Sequence, residues 1–267
     1  MRYEDFCNQV YERYGRTDRG LVVYQSVPSS HEAAQHVVRE YRGEGSIPPP
    51  SDLVAWTQTR GQGRDGRSWS SPPGSGAYIS LIRPDPGVEP QSLPMRVAVA
   101  LCGELNLFLA DACRVRWPND LMVGSKKIAG ILVDLHTQGD DPAIAVISFG
   151  VNHAIDPSIF DEPRATTLRA EGGDLALPDL VAALIGAIDS ALEDPRDFGS
   201  IRSAYEQLSN HEPGETMRIR RVPPQADLEG RFRGFDERGF LRLEVDGQER
   251  LVTSGLLSPL AFSSPEH

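Results

Sequence analysis

Two stretches of the chain concentrate residues able to handle anions. The first is Gln58-Thr-Arg-Gly61-Gln62-Gly63-Arg64-Asp-Gly66-Arg67-Ser-Trp69, with three glycines within six residues, Arg64 between them and Arg67 directly after. Glycine lets the backbone visit positive φ and lets a ligand approach closely. Backbone N–H groups in such a turn, joined by the Arg64 and Arg67 guanidiniums, suit a bound carboxylate or phosphate. Trp69 adds an aromatic surface. The second stretch is Arg116-Trp117-Pro118-Asn119-Asp120-Leu121, continuing to Lys126-Lys127-Ile128-Ala129-Gly130-Ile131-Leu132. Pro118-Asn119-Asp120 favours a turn that ends an extended run. Asp120, an acceptor-only group when ionised, suits Mg²⁺ or a cationic side chain. Lys127 begins a strand beside Ala129 and Gly130, and Gly130 leaves room for a ligand or a neighbouring backbone. Taken singly, each residue also has a plainer reading. Asp120 could cap a turn, Lys126 and Lys127 could be solvated, Trp117 could be core, and the glycine loop could be a solvated connection.

Gly61, Gly63 and Gly66 also satisfy the G-x-G-x-x-G spacing of dinucleotide sites. In those sites the third glycine opens a helix whose N-terminus holds the pyrophosphate. Here Gly66 leads instead into Ser70-Ser-Pro-Pro-Gly74, which cannot continue a helix, so the dinucleotide reading fails.

The elements that must position these stretches can be read from periodicity. Residues 3–14 suit a helix with Phe6, Val10 and Tyr11 on one face, and Leu21–Tyr24 a strand. Ser29-Ser30-His31-Glu32 opens a helix to about Tyr41, with Ser29 and Glu32 at capping-box spacing. Arg42–Pro50 is a Gly/Pro-rich loop. Leu53–Thr57 and Tyr78–Ile82 suit strands, 92–110 a helix. Val115–Trp117 and Lys127–Asp134 are strands flanking a turn. The apolar run Ala143–Gly150 has the length of a buried strand. Helices are expected over 178–193 and 199–209. His211-Glu-Pro-Gly214 reads as a boundary between a unit spanning 1–211 and one spanning 212–267. Beyond it the period becomes two, in Met217–Val222, Leu228–Phe235, Phe240–Val245 and Arg250–Thr253. Turn signals at Asp236–Gly239 and Asp246-Gly247 join them. Short strands at that spacing predict a small antiparallel barrel of SH3-like size. The fold class is α+β with a β appendage.

Composition bounds the function. A net charge of −11 and a pI near 5.0 argue against a general nucleic-acid binder, leaving room for a local basic pocket. No run approaches eighteen apolar residues, and Met1-Arg2-Tyr3-Glu4-Asp5 lacks a secretion-signal pattern, so the expected setting is the cytoplasm, away from membranes. Cys7, Cys102 and Cys113 are odd in number and scattered, which fits that compartment; Cys102 and Cys113 read as core thiols.

Taken together, the motifs resemble those of biotin–protein ligases. That family carries G-R-G-R-x-G-R-x-W, then K-W-P-N-D, then K-[IL]-A-G-[IL]-L; this chain reads G-Q-G-R-D-G-R-S-W, R-W-P-N-D and K-I-A-G-I-L. Gly150-Val151-Asn152 resembles the family's G-[IV]-N, Ala165-Thr-Thr167-Leu168 its A-T-S-L, and Ser29-Ser30-His31 its S-T-N. The matches run in family order from about residue 20 to 255.

The resemblance implies a catalytic domain related to class II aminoacyl-tRNA synthetases, with a mixed sheet and helices, and an SH3-like C-terminal barrel. It implies activation of biotin by ATP to biotinyl-5′-AMP, with Mg²⁺, and transfer to a lysine of a biotin carboxyl carrier domain, as in acetyl-CoA carboxylase. The implied catalytic residues are Arg64, Lys127 and Asp120. The biotin site would draw on Ser29, Ser30, His31, Gln58, Gln62, Gly63, Arg64, Lys127 and Gly130, whose hydroxyl and amide groups suit a ureido ring. The ATP site would draw on Gly61, Gly66, Arg67, Trp69, Asn119 and Asn152, with Asp120 as the Mg²⁺ ligand. Larger members carry an operator-binding helix-turn-helix. About 20 residues precede the first strand here, so the expectation is a ligase without DNA binding.

The chain departs from the family at Gln62 (usually Arg), His31 (usually Asn), Arg116 (usually Lys) and Ser254-Gly255-Leu256-Leu257 (usually Gly-Glu-[VI]-Ser). Two alternatives are a lipoate ligase or octanoyltransferase on the same fold, and a non-catalytic module that binds biotin or docks a carrier.

Overall fold

The computed structural model describes residues 1–15, 18–139, 141–155, 165–220, 226–253 and 256–258. A seven-stranded sheet forms its centre, in the order β1 (Gly20–Tyr24), β2 (Ser51–Ala55), β3 (Gly76–Pro84), β7 (Ile144–Asn152), β6 (Lys126–His136), β5 (Asp120–Val123) and β4 (Cys113–Arg116). Within it only the β1–β2 pairing is parallel. The long central strands β3 and β7 are almost wholly buried, as the apolar run over Ala143–Gly150 requires.

The two faces of the sheet are used differently. One is covered by helices α1 (Tyr3–Tyr14), α3 (Leu93–Leu105), α4 (Leu177–Glu193) and α5 (Phe198–Leu208). Ile79, Leu81, Ile147 and Phe149 pack there with Leu101, Leu105, Leu184 and Ile188 into the main core. The other face receives α2 (Ser30–Gly43), which buries Ala34 and Val38 against Ile82, Val146 and Leu53. Because α2 covers only part of this face, cross-strand pairs nearer the middle of the sheet stay open to a ligand.

Several boundaries differ from the sequence reading. Tyr11 does not share the buried face of Phe6 and Val10; it is exposed, and its hydroxyl donates to the Leu21 carbonyl. The third helix stops at Leu105, followed by turns at Asn106–Phe108, because Asn106 turns its amide to the Cys113 backbone instead. Asp120 does not simply cap a turn but opens β5, a short strand whose residues pair on both sides. The chain reverses twice here, at Trp117–Asn119 between β4 and β5, as the Pro118-Asn119 signal predicts, and at Gly124-Ser125 between β5 and β6, where Gly124 adopts φ +56°. Cys102 and Cys113 are buried, and the Cys102 thiol donates to the Cys113 carbonyl.

The C-terminal residues form a five-stranded antiparallel sheet: β8 (Thr216–Arg220), β9 (Leu228–Phe235), β10 (Leu241–Val245), β11 (Gln248–Val252) and β12 (Leu256–Ser258), in the order β11-β10-β9-β8-β12. Strand β12 is additional to those read from periodicity. Arg221, Val222 and Ser254-Gly255, assigned from sequence to a strand and to the altered family motif, lie outside the described residues. The small sheet is docked rather than tethered. Phe235 meets Tyr205 of α5 edge-on at 5.3 Å, and Phe232 stacks near His211 at 5.6 Å. His211 Nε2 in turn accepts from the Trp117 N–H at 3.1 Å. Burial holds this imidazole below its usual pKa, consistent with a neutral ring accepting at Nε2.

A buried ionic cluster crosses between the sheet and α4. Arg83 on β3 reaches Asp52 on β2 at 2.5 Å and Asp189 on α4 at 3.0 Å; Arg19 also meets Asp189, and the Tyr14 hydroxyl donates to Asp52. Arg83, Asp52 and Asp189 are all buried. Removing one member strands charges that water cannot reach. Arg83→Ala is therefore expected to lower unfolding stability by about 3–5 kcal/mol, read by urea denaturation. A loss below about 1 kcal/mol, the range of an exposed pair, would show that the cluster is solvated.

Candidate active site

A cavity of about 290 Å³ opens on the α2 side of the sheet. Most of its walls come from the start of α2 (Ser29, Ser30, His31), the loop 58–70, the turn 116–120, and the facing strands β6 and β7, with Ile79, Met122, Ala165 and Arg220 completing them. Among the described residues lining it, the fixed charges are Arg64, Arg67, Arg116, Lys127 and Arg220 against the single carboxylate of Asp120. A chain of net charge −11 thus presents a basic cleft at one place.

The loop is a tight excursion. Its base is pinned by the Trp69 N–H to the Gly61 carbonyl at 2.8 Å and by the Gly63 N–H to the Arg67 carbonyl at 2.8 Å, with a 3₁₀ turn over Arg64–Gly66 at its tip. Of the three glycines, Gly66 alone adopts positive φ, +73°. Gly61 is required for a different reason: a Cβ there would strike the Trp69 carbonyl oxygen. The chain leaves the tip extended, so no helix N-terminus faces a pyrophosphate.

Trp69 seats this loop on the sheet. Gly130 on β6 and Gly150 on β7 are direct cross-strand partners, and the indole lies over both. A Cβ on Gly150 would come within 2.5 Å of the indole nitrogen, and one on Gly130 within 3.2 Å of the ring. The indole N–H has no partner among the described residues. Lys127 Nζ lies 5.2 Å from the ring centroid and 2.6 Å from Asp120 Oδ1. The register explains that ion pair: Asp120 on β5 pairs with Gly130, so its side chain reaches across toward the start of β6. Lys127 is thus held by a carboxylate and an aromatic face, ready to exchange part of that pairing for an incoming anion.

The far end is lined by hydroxyls. Ser29 caps α2 by accepting from the Glu32 N–H at 3.3 Å, while the Glu32 carboxylate pairs with Gln62 of the loop. Ser80 Oγ donates to Ser30 Oγ at 2.9 Å, and His31 Nδ1 lies 2.9 Å from Ser148 Oγ.

All residues singled out from sequence line this one cavity except Gly61 and Gly66, which shape the loop from outside it. Three of the lining amides have their polar atoms partly spent on the protein. Gln58 accepts from the Ser30 N–H and donates to Ser71 Oγ, so it holds α2 in place with both ends of its amide. Asn119 and Asn152 donate to the carbonyls of Ile131 and Thr166. Their amide oxygens remain for a ligand. The sequence reading passed over Ser148 and Arg220, and it noted Arg116 in the second motif without giving it a role. Ser148 had a signal, as a lone polar residue inside an apolar run. Arg220 had none, since its position depends on how the small sheet docks.

The chain as a whole is similar to known proteins. Residues 27–152 match the model of the biotin/lipoate A/B protein ligase family. The chain is 32% identical over 211 residues to the biotin–[acetyl-CoA-carboxylase] ligase of Paracoccus denitrificans, covering 75% of this chain and 86% of that one. The chain belongs to the biotin–protein ligase family. It is also 32% identical over 210 residues to the Escherichia coli bifunctional ligase/repressor BirA, 76% of this chain but 64% of that longer protein. The biotin protein ligase of Aquifex aeolicus, solved with biotin and ATP, superposes with a TM-score of 0.71 over 90% of this chain and 97% of that one, at 24% identity. The mixed sheet with a small C-terminal antiparallel sheet is therefore the biotin–protein ligase fold.

In this ligase fold the seat of Trp69 can be tested directly. Gly150→Ala is expected to unseat the indole and lower kcat/KM by about 10²-fold, with an unchanged far-ultraviolet dichroism spectrum. Unaltered kinetics would show that the tryptophan does not set the loop's position.

Proposed function

We propose that this chain activates biotin with ATP and transfers it to a lysine of a biotin carboxyl carrier domain. The observation that carries this reading is one cavity in which a loop arginine, Arg64, and a strand lysine, Lys127, share a wall with Asp120, while hydroxyls line the opposite end. In the first step the biotin carboxylate oxygen attacks the α-phosphorus of ATP. A C(O)–O–P linkage forms, the bond to the β-phosphate oxygen breaks, and pyrophosphate leaves. In the second, the carrier lysine's amine attacks the acyl carbon, the acyl C–O bond breaks, and AMP leaves. Both steps move negative charge among phosphoryl and carboxylate oxygens, so fixed cations in a sheltered cleft are the main catalytic resource.

Arg64 and Lys127 are assigned to the biotin carboxylate and the α-phosphate. Arg67 and Trp69 order the loop over the adenylate, with Gly61, Gly63 and Gly66 giving it its shape. Ser29, Ser30 and His31 surround the ring head, Gln58 positions them, and Gln62 and Gly63 complete the loop wall. Asn119 and Asn152 serve the nucleotide through their free amide oxygens. Mg²⁺ is bound in nucleotide sites through one or two carboxylates, waters and the phosphates themselves. Asp120 is the one carboxylate among the described residues lining the cavity, which fits that mode, and Mg²⁺ there would neutralise charge on the phosphates.

The small sheet, taken as a unit from 212 onward, closes the nucleotide end through Arg220. The net charge of −11 favours a protein carrier over DNA as the second substrate. Free Cys7, Cys102 and Cys113 suit a reducing, cytoplasmic setting, and no helix among the described residues is long and apolar enough to cross a membrane.

Incubation with biotin, ATP and a carrier domain should add one biotinyl group to the carrier, read by mass spectrometry. Pyrophosphate exchange should respond to biotin and not to lipoate. Biotin binding without pyrophosphate release would instead identify a non-catalytic module. Closing the loop shields a mixed anhydride from water and from stray amines. Arg64→Gly is accordingly expected to release the adenylate and raise biotin labelling of bystander proteins; unchanged selectivity would remove Arg64 from this role.

A further inference from the structure

We propose that Asp134, His31 and Ser148 form a hydrogen-bond relay that makes Ser148 an acceptor for a ureido N–H at the hydroxyl end of the cavity. The inference rests on biotin being the substrate and adds the residues that read its ring. Asp134 Oδ2 on β6 lies 3.0 Å from His31 Nε2, and His31 Nδ1 lies 2.9 Å from Ser148 Oγ on β7. Gln35, one turn further along α2, donates to the same Asp134 oxygen at 2.6 Å. Ser148 is buried and lines the cavity, whereas Asp134 is half exposed and stands outside it.

The direction of each proton is set by the first partner. The hydrogen bond from His31 holds the Asp134 carboxyl below its usual range, so it is ionised and can only accept. His31 must then carry its proton on Nε2. In a neutral imidazole the other nitrogen is a bare acceptor, so the Ser148 O–H points to Nδ1. The lone pairs of Ser148 are left for the cavity. Its neighbour is set the opposite way: Ser30 Oγ accepts from Ser80, and the Ser30 N–H is spent on Gln58, leaving the Ser30 O–H free to donate. One donor beside one acceptor complements a cyclic urea, which presents a carbonyl flanked by N–H groups.

The position also fits. Ser148, Gly150 and Asn152 share one face of β7, and four residues of strand span roughly 14 Å at about 3.4 Å each. That separates the ring-reading end from the cationic end by the length of an extended acid. Asp134 and His31 act through Ser148 and are positioning residues.

The titratable and charged groups around the His31 imidazole are Asp134 and His136 on β6 and Glu32, His36 and Arg39 on α2.

The test compares biotin with biotin methylated on either ureido nitrogen, by calorimetry on the full chain at neutral pH. The wild type should prefer biotin over at least one methylated form. Ser148→Ala and Asp134→Asn should each cut that preference by about tenfold, the worth of one neutral hydrogen bond. Preference unchanged in both Ser148→Ala and Asp134→Asn overturns the relay. A wild type that binds biotin without discriminating the methylated forms overturns it too, while leaving biotin ligation intact. Absence of biotin binding by the wild type would remove the functional reading itself.

Discussion

An indole needs a surface free of side chains to lie against, and in this molecule two facing glycines supply it. Gly130 and Gly150 sit opposite each other on the central strands, and Trp69 fills the gap they leave. Everything on the cationic side of the cleft is referred to that contact. It fixes the end of the glycine-rich loop, brings Arg64 and Arg67 to the cavity wall, and places an aromatic face beside Lys127. A loop with three glycines has many conformations to lose. A large, rigid side chain seated at its base is an economical way to restrict them while the tip stays free to close.

The Lys127–Asp120 pair is the second constraint. A lone ammonium in a half-enclosed cleft would be poorly solvated, and a lone carboxylate would oppose anionic substrates. Paired at 2.6 Å, each satisfies the other until a phosphate or carboxylate arrives. The pairing depends on the antiparallel register of β5 with β6, which sets Asp120 opposite Gly130 and leaves the space between them open. Small residues on β6 and β7 therefore serve both contacts: they accept the tryptophan, and they let long charged side chains from neighbouring positions meet above the sheet.

The sheet separates stability from chemistry. Its helix-covered face carries the large apolar core, and the Arg83–Asp52–Asp189 cluster ties the strands to α4 away from the cleft. The opposite face is only half covered, by α2, and the uncovered half carries the basic cavity. The small C-terminal sheet is held to the main body by aromatic contacts at Tyr205 and His211, and it adds Arg220 to the cleft.

Local chemistry is what a sequence states most directly, and here it determined a good deal. The Ser29 cap, the alternating strands such as Leu228–Phe235, the buried run before Gly150, and the two anion-handling motifs all come from short-range pattern and composition. That the motifs belonged to one site came from their resemblance to a family. The short strand Asp120–Val123 was hidden, because four residues between two turn signals have too little period to read, and only pairing on both sides defines them. The partners of Gln58, Asn119 and Asn152 were hidden too, since an amide's hydrogen bonds depend on which backbone lies across from it. Trp69 over Gly130 and Gly150, Lys127 against Asp120, and His31 between Asp134 and Ser148 join residues as many as 117 positions apart in the chain. Which of those side chains meet is a property of strand register and helix docking. Both are fixed by burying the whole apolar surface at once, so only the tertiary structure could decide them.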